Sequence, residues 1–289
     1  MRPLDSFTIT EAVLESMDRS PDARLRSVMA SLVRHLHDFA REVKLTEDEW
    51  WRGIRFLTDA GHITDNKRQE FILLSDVLGL STLVMAQNNT KPVGCTEATV
   101  FGPFFVEDAP MVEHGADIAN GAKGAPCYVQ GRVTGLDGEP ISHALVDVWQ
   151  ADEEGFYDVQ KPDPSLSEHR ARAQLRTDAD GHYHFRSIVA HEYPIPHDGP
   201  VGALLDSLGR HPWRPAHLHF MIQAEGYERL ITHVFRSGGR YLESDAVFGV
   251  RPSLIADWER HESDDPAKPP VYYTLDYDFV LNRSTPSAD

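Results

Sequence analysis

Apolar residues recur at three- and four-residue intervals in the first third of the chain. Leu25, Met29, Leu32, Leu36 and Phe39 fall on one helix face. Pro21 follows Ser20 at a first-turn position, where a missing N–H costs nothing, so that helix is expected to begin there. Thr46-Glu47-Asp48-Glu49 reads as a capping box, with Leu45 and Trp50 spaced as a hydrophobic staple. The helix it opens carries Ile54 and Leu57 and is expected to stop at Gly61. A further helix is expected after Asp65, running through Phe71-Ile72-Leu73-Leu74-Ser75-Asp76-Val77-Leu78 to about Asn88. None of these gathers metal-type ligands, so the segment reads as a packing or subunit-contact module.

Past Asn88 the texture changes. Gly and Pro become frequent, as at Gly102-Pro103 and in the loop 115–126, and short β-type runs take over. Tyr128-Val129-Gln130-Gly131-Arg132-Val133 leads into a Gly135-Leu136-Asp137-Gly138 turn, and Ala144-Leu145-Val146-Asp147-Val148-Trp149 alternates like a half-buried strand. Asp180-Gly181 is a hairpin signal, with Leu175 before it and Tyr183 and Phe185 after it. Further strands are expected over 218–223, 231–235 and 271–279, and the polar tail 283–289 is expected to fray. The expected class is α+β: a helical domain, residues 1–98, followed by a mostly antiparallel β-sandwich or barrel, residues 99–289.

A chain of 289 residues can bury a substantial core. Its net charge of −17 argues against a nucleic-acid partner, because phosphate binding needs a surplus of Lys and Arg. Only Cys95 and Cys127 occur, too few for a disulfide framework. The opening residues lack an apolar run of signal-peptide length, and the most apolar stretch, 77–86, is too short to span a bilayer. A cytoplasmic protein without a membrane partner is expected.

Chemistry is concentrated in Trp213-Arg214-Pro215-Ala216-His217-Leu218-His219-Phe220. Strand residues two apart share a face, so His217 and His219 can converge on one ion. His35, His37 and His62 lie in the helical part and read as surface or core residues. His182 and His184 form a second H-x-H, but they alternate with Tyr183 and Phe185, which turns them to solvent if those aromatics face the core. One completion of the first pair is cupin-like, with Glu225 as the carboxylate of an Fe(II), Mn(II) or Zn(II) site. A non-catalytic sandwich module with a structural metal is another.

A different set of residues carries a resemblance to the intradiol ring-cleaving dioxygenases: Gly155-Phe156-Tyr157, His191-Glu192-Tyr193-Pro194 and Arg214-Pro215-Ala216-His217-Leu218-His219. Tyr157 and Tyr193 are 36 residues apart, and His217 follows 24 later. Gly102-Pro103-Phe104 and Asp147-Val148-Trp149-Gln150-Ala151 also look like family segments. The segment Asp65-Asn66-Lys67-Arg68-Gln69-Glu70-Phe71-Ile72-Leu73-Leu74-Ser75-Asp76 is similar to the branch that cleaves hydroxyquinol. So is Thr232-His233-Val234-Phe235, where catechol-specific members carry glutamine at the position of His233.

The resemblance implies a β-sandwich holding one Fe(III) per subunit through Tyr157, Tyr193, His217 and His219. Tyr193 and His219 would be axial, and Tyr193 would leave to accept a substrate proton. It implies intradiol cleavage of hydroxyquinol by O2, with catechol or chlorocatechol 1,2-dioxygenase activity as alternatives. Arg214 would stabilise developing negative charge. Leu73, Asp76, Val100, Phe101, Gly102, Pro103, Phe104, Ile195, Pro196 and Val247 would wall the substrate pocket, with Asp76 meeting the third hydroxyl. A homodimer through the helical domain is also implied, in some members with a phospholipid at that interface.

Overall fold

The computed structural model describes residues 4–65, 68–161 and 167–284. Residues 1–3, Asn66 and Lys67 of the expected helix start, and the tail 285–289 lie outside these. The helices are α1 (Ile9–Ser16), α2 (Ala23–Glu42), α3 (Glu47–Ile63), α4 (Glu70–Val77), α5 (Leu80–Asn88) and, between strands, α6 (Pro200–Ser207). The strands are β1 (Pro126–Gly135), β2 (Leu145–Trp149), β3 (Arg172–Arg176), β4 (His182–Ile188), β5 (Tyr193–Pro194) and β6 (Trp213–Arg214). They continue with β7 (His217–Gln223), β8 (Leu230–Arg236), β9 (Ile255–Ala256), β10 (Trp258–Glu262), β11 (Val271–Asp276) and β12 (Phe279–Leu281). The described chain divides into two compact units, 1–59 and 60–289.

In the first unit the capping box forms as expected. Glu49 Oε2 accepts from the Thr46 N–H at 2.8 Å, and Thr46 Oγ1 accepts from the Glu49 N–H at 3.3 Å. Helix α2 starts later than Pro21 suggested, because the Asp22 carboxylate caps it, accepting from the Leu25 N–H at 2.9 Å. Its apolar stripe, Leu25, Leu32, Leu36 and Phe39, stays exposed in the single chain.

In the second unit the expected long helix after Asp65 is two helices. Gly79 adopts φ +73° between α4 and α5, a left-handed step that ends the first helix and turns the chain by 78°. No single helix among the described residues is long and apolar enough to cross a membrane. Glu70, buried, accepts from the Val201 N–H at 3.0 Å and so caps α6 from α4.

Two five-stranded sheets follow, one ordered β10-β11-β1-β12 with β4 also on β1, the other β3-β2-β7-β8-β9. Six of the nine strand pairings are antiparallel; β1 runs parallel to β11 and β12, and β8 to β9. The Asp180-Gly181 turn is present, with Asp178 Oδ1 accepting from the Asp180 and His182 N–H groups. It does not close a hairpin, however: β3 pairs with β2 and β4 with β1, so the turn carries the chain from one sheet to the other. The run 271–279 likewise splits into β11 and β12.

The apolar core lies between the sheets. Val146, Val148, Leu218, Phe220, Ile222 and Val234 of one meet Val129, Val133, Tyr183, Phe185, Leu275 and Phe279 of the other. The alternate residues of β2, β7 and β8, among them Asp147, Trp149, His217, His219, Met221 and His233, occupy the opposite face and are buried too. That second buried face is where the chemistry sits.

Candidate metal centre

Strand β7 is central in its sheet, and the pairing register fixes what flanks its histidines. His219 lies opposite Trp149 on β2 and His233 on β8, while Trp149 lies opposite Arg172 on β3. A row of four side chains, Arg172, Trp149, His219 and His233, thus crosses four strands on one face. The Trp149 ring stacks on His219 at 4.7 Å between centroids, and His233 meets it edge-on at 4.2 Å.

A turn and a short strand deliver the tyrosines. After β2, Asp152 Oδ1 accepts from the Glu154 and Phe156 N–H groups, and Gly155 turns at φ +84°. A Cβ at Gly155 would stand 2.9 Å from Tyr193 Cβ, so this close approach requires glycine. Tyr193 sits on β5, paired with Arg214 on β6.

Four donor atoms converge. Tyr157 Oη is 2.8 Å from His219 Nε2 and 3.3 Å from Tyr193 Oη, and His217 Nε2 is 3.2 Å from His219 Nε2. All four residues are buried. His217 Nδ1 donates to the Pro215 carbonyl at 2.7 Å, which leaves the lone pair on Nε2 aimed at the other donors. Burial, with the nearby Arg214 charge, pushes the His217 imidazole down to about 3 and the His219 imidazole well below its usual range. Both are therefore neutral, as metal ligands must be.

Burial and the neighbouring Tyr193 push the Tyr157 hydroxyl well above its ordinary value, against the pull of Arg214 and Arg172. A cation among these oxygens reverses that preference and favours phenolate. Two hard phenolates and two neutral imidazoles, all buried, fit a highly charged ion of the iron type.

Arg214 is buried behind this group. Its Nη1 lies 3.3 Å from His217 Nε2, and its Nε and Nη2 donate to Asp245 Oδ1 and Oδ2 at 3.1 and 3.3 Å. Burial works against its charge, but Asp245 together with Tyr193 and Tyr157 more than offsets burial and holds the guanidinium ionised; the Asp245 carboxyl is lowered in return, against its own burial.

A cavity of about 900 Å³ opens beside Tyr193 and Arg214. Nine of the ten expected wall residues line it: Leu73, Asp76, Val100, Gly102, Pro103, Phe104, Ile195, Pro196 and Val247. Phe101 is not among the lining residues described; its ring packs against Phe105 and Trp149. Asp76 is buried, and burial raises its carboxyl above the ordinary value, with Ser81 and Arg214 pulling the other way. Arg68, Glu70 and Arg170, none expected from the sequence, add charged groups to the lining, Glu70 and Arg170 being buried.

The rival constellations separate from this group. Among the described residues, the His, Cys, Asp or Glu group able to hold an ion is His217, His219 and His233, which leaves out the cupin-like carboxylate Glu225. His182 and His184 are exposed, as their alternation implied, and His184 contacts His114 at 3.1 Å. Sequence reasoning missed Asp245, 31 residues from Arg214, and the Arg172–Asp158 pair, 14 residues apart although Asp158 adjoins Tyr157. His233 stands out in the sequence only as the position where catechol-specific members carry glutamine; the β7–β8 register is what brings it against His219.

Known proteins resemble this chain along most of its length. A family profile described as "Dioxygenase" matches residues 100–283, and one described as "Catechol dioxygenase N terminus" matches residues 22–96. The chain is 60% identical over 282 residues to 6-chlorohydroxyquinol 1,2-dioxygenase of Cupriavidus pinatubonensis, covering 98% of this chain and 99% of that protein. It is 54% identical to hydroxyquinol 1,2-dioxygenase of Nocardioides simplex, covering 89% and 87%. Its fold is similar to the crystal structure of hydroxyquinol 1,2-dioxygenase from Pseudomonas putida DLL-E4, with a TM-score of 0.89, 47% identity and coverage of 96% and 99%.

Proposed function

Since the chain belongs to the intradiol ring-cleavage dioxygenases, we propose that it cleaves hydroxyquinol (1,2,4-trihydroxybenzene) with O2 to 3-hydroxy-cis,cis-muconate, which tautomerises to maleylacetate. The observation that carries this reading is the convergence of Tyr157, Tyr193, His217 and His219 beside a cavity walled by Asp76. These four residues would hold one ferric ion per subunit, a Lewis acid that activates a chelated diol toward dioxygen.

The chain's own groups do the rest. Tyr193, which lines the cavity, accepts a substrate proton at its oxygen as the diol binds. Arg214, held charged by Asp245 and also lining the cavity, stabilises negative charge as it develops on the ring. Removing such a donor costs roughly 10²–10³ in kcat, the loss expected of Arg214→Gln in steady-state kinetics. Val100, Pro103, Phe104 and Ile195 supply apolar walls that exclude water. Asp76 accepts a hydrogen bond from the third hydroxyl, and leaving that carboxylate unpaired penalises catechol. The exposed apolar stripe of α2 supports a homodimer through the helical segment, with a surface suited to the acyl chains of a phospholipid.

The deciding assay measures oxygen uptake with hydroxyquinol, catechol, 4-chlorocatechol and 6-chlorohydroxyquinol and identifies each product. The expected outcome is fastest turnover with a triol and an intradiol diacid as product. A semialdehyde product would refute the ring-cleavage chemistry, and an unchanged triol preference in Asp76→Ala would refute the role of Asp76. Fe(III)–tyrosinate also makes concentrated protein red-brown, whereas a zinc protein stays colourless.

A further inference from the structure

Beneath the donor cluster lies a buried cation that the proposed chemistry does not use. Arg172 is 1% exposed and stands at the β3 end of the four-strand row, opposite Trp149. Its Nη2 donates to Asp158 Oδ1 at 2.7 Å and to the Phe104 carbonyl at 2.8 Å, and its Nε donates to Asp158 Oδ2 at 3.0 Å. Both partners bear on Tyr157. Asp158 is the next residue in the chain, and the Phe104 ring stacks on the Tyr157 ring at 4.5 Å between centroids.

The charge balance is uneven. Asp158 also accepts from the Val159 and Arg170 N–H groups, so its one negative charge is shared among several donors. Meanwhile Arg172 Nη1 is buried without a hydrogen-bond partner among the described residues. A dry guanidinium with one arm unpaired is costly, and at low dielectric its field reaches the groups nearby, the Tyr157 hydroxyl among them.

We propose that Arg172 is a positioning residue for Tyr157: its fork fixes the segment and the stacked ring that hold the phenol, and its charge tunes the phenolate as an electron donor. This rests on the reading that Tyr157 is an iron ligand. The fork and the charge are separable. Lysine keeps the charge without the bidentate geometry, and neutralising Asp158 leaves the guanidinium less compensated.

The test uses the full-length, iron-loaded protein as wild type, Arg172→Gln, Arg172→Lys and Asp158→Asn. Its readouts are the visible tyrosinate-to-iron band and the rate of iron loss to a chelator. Arg172→Gln removes positive charge, makes the phenolate a better donor and moves the band to longer wavelength. Asp158→Asn does the opposite and moves it to shorter wavelength. Arg172→Lys keeps the band near its wild-type position, yet like Arg172→Gln it loses iron roughly 10- to 100-fold faster. Should Arg172→Gln not fold, the short-wavelength shift of Asp158→Asn and the fast iron loss of Arg172→Lys still decide the matter. Shifts of the same sign in Gln and Asn variants, or unshifted bands on a coloured wild type, overturn the inference alone. A wild type that takes up iron without any tyrosinate band overturns the ligand reading itself.

Discussion

Two strands carry nearly the same word. His182-Tyr183-His184-Phe185 opens β4, and His217-Leu218-His219-Phe220 opens β7. In both, the apolar alternates point into the space between the sheets. In β4 the histidines then face solvent; in β7 they are 2% exposed. Period-two alternation states which residues share a face, but not what covers the other face. For β7 the cover is supplied from elsewhere in the chain: Tyr157 after β2, Tyr193 on β5 and Arg214 on β6. Both faces of one sheet are therefore closed by different means, one by apolar packing and the other by ligand-type groups that satisfy or repel one another.

The contrast can be broken most severely at His219. His219→Ala is expected to lose bound iron and to drop oxygen uptake with hydroxyquinol to background, measured by metal content and an oxygen electrode. Its neighbour on the apolar face behaves differently. Leu218→Ala costs about 2–5 kcal/mol of stability through the cavity it leaves, read by denaturant unfolding. The surviving folded fraction keeps the visible band.

Asp76→Asn tests a buried carboxylate on the site side. Its folded-state value is raised above 3.8, so the folded chain holds the proton more tightly than the unfolded chain does. That contribution is present at low pH and is lost as pH rises from 3.8 through the raised value. Asp76→Asn is thus expected to melt higher than wild type at pH 7, with the gap closing as pH falls toward 3.8. Its preference for hydroxyquinol over catechol should fall roughly ten- to hundredfold, the worth of one charged hydrogen bond. Smallest of all is His184→Ala on the exposed face of β4. Thermal unfolding should place it within about 0.5 kcal/mol of wild type, with iron content unchanged.

These contrasts mark how far the sequence could be read. The capping box at Thr46 and the stripe of α2 were legible because both are local and periodic. The break at Gly79 was not, since α4 and α5 are apolar on several sides and show no stripe whose phase could slip. Asp180-Gly181 announced a turn, but pairing partners are set by the sheets, so β3 and β4 part company. At the site, His217 and His219 stood out by spacing, whereas Tyr157 and Tyr193 were singled out only by family resemblance among nine tyrosines. Asp245 and the Arg172–Asp158 pair look like surface charges in any window. Only their burial against distant partners shows their use.

The hydrogen bond from the Val201 N–H to Glu70 has a practical side for anyone recombining relatives. It binds the helix bearing Leu73 and Asp76 to the sandwich half of the chain. A chimaera spliced near residue 98, between α5 and β1, would import a foreign wall for the cavity and sever a matched cap from its helix. One spliced near residue 60 would exchange the leading helices and leave the cavity wall and the cap with their original owner.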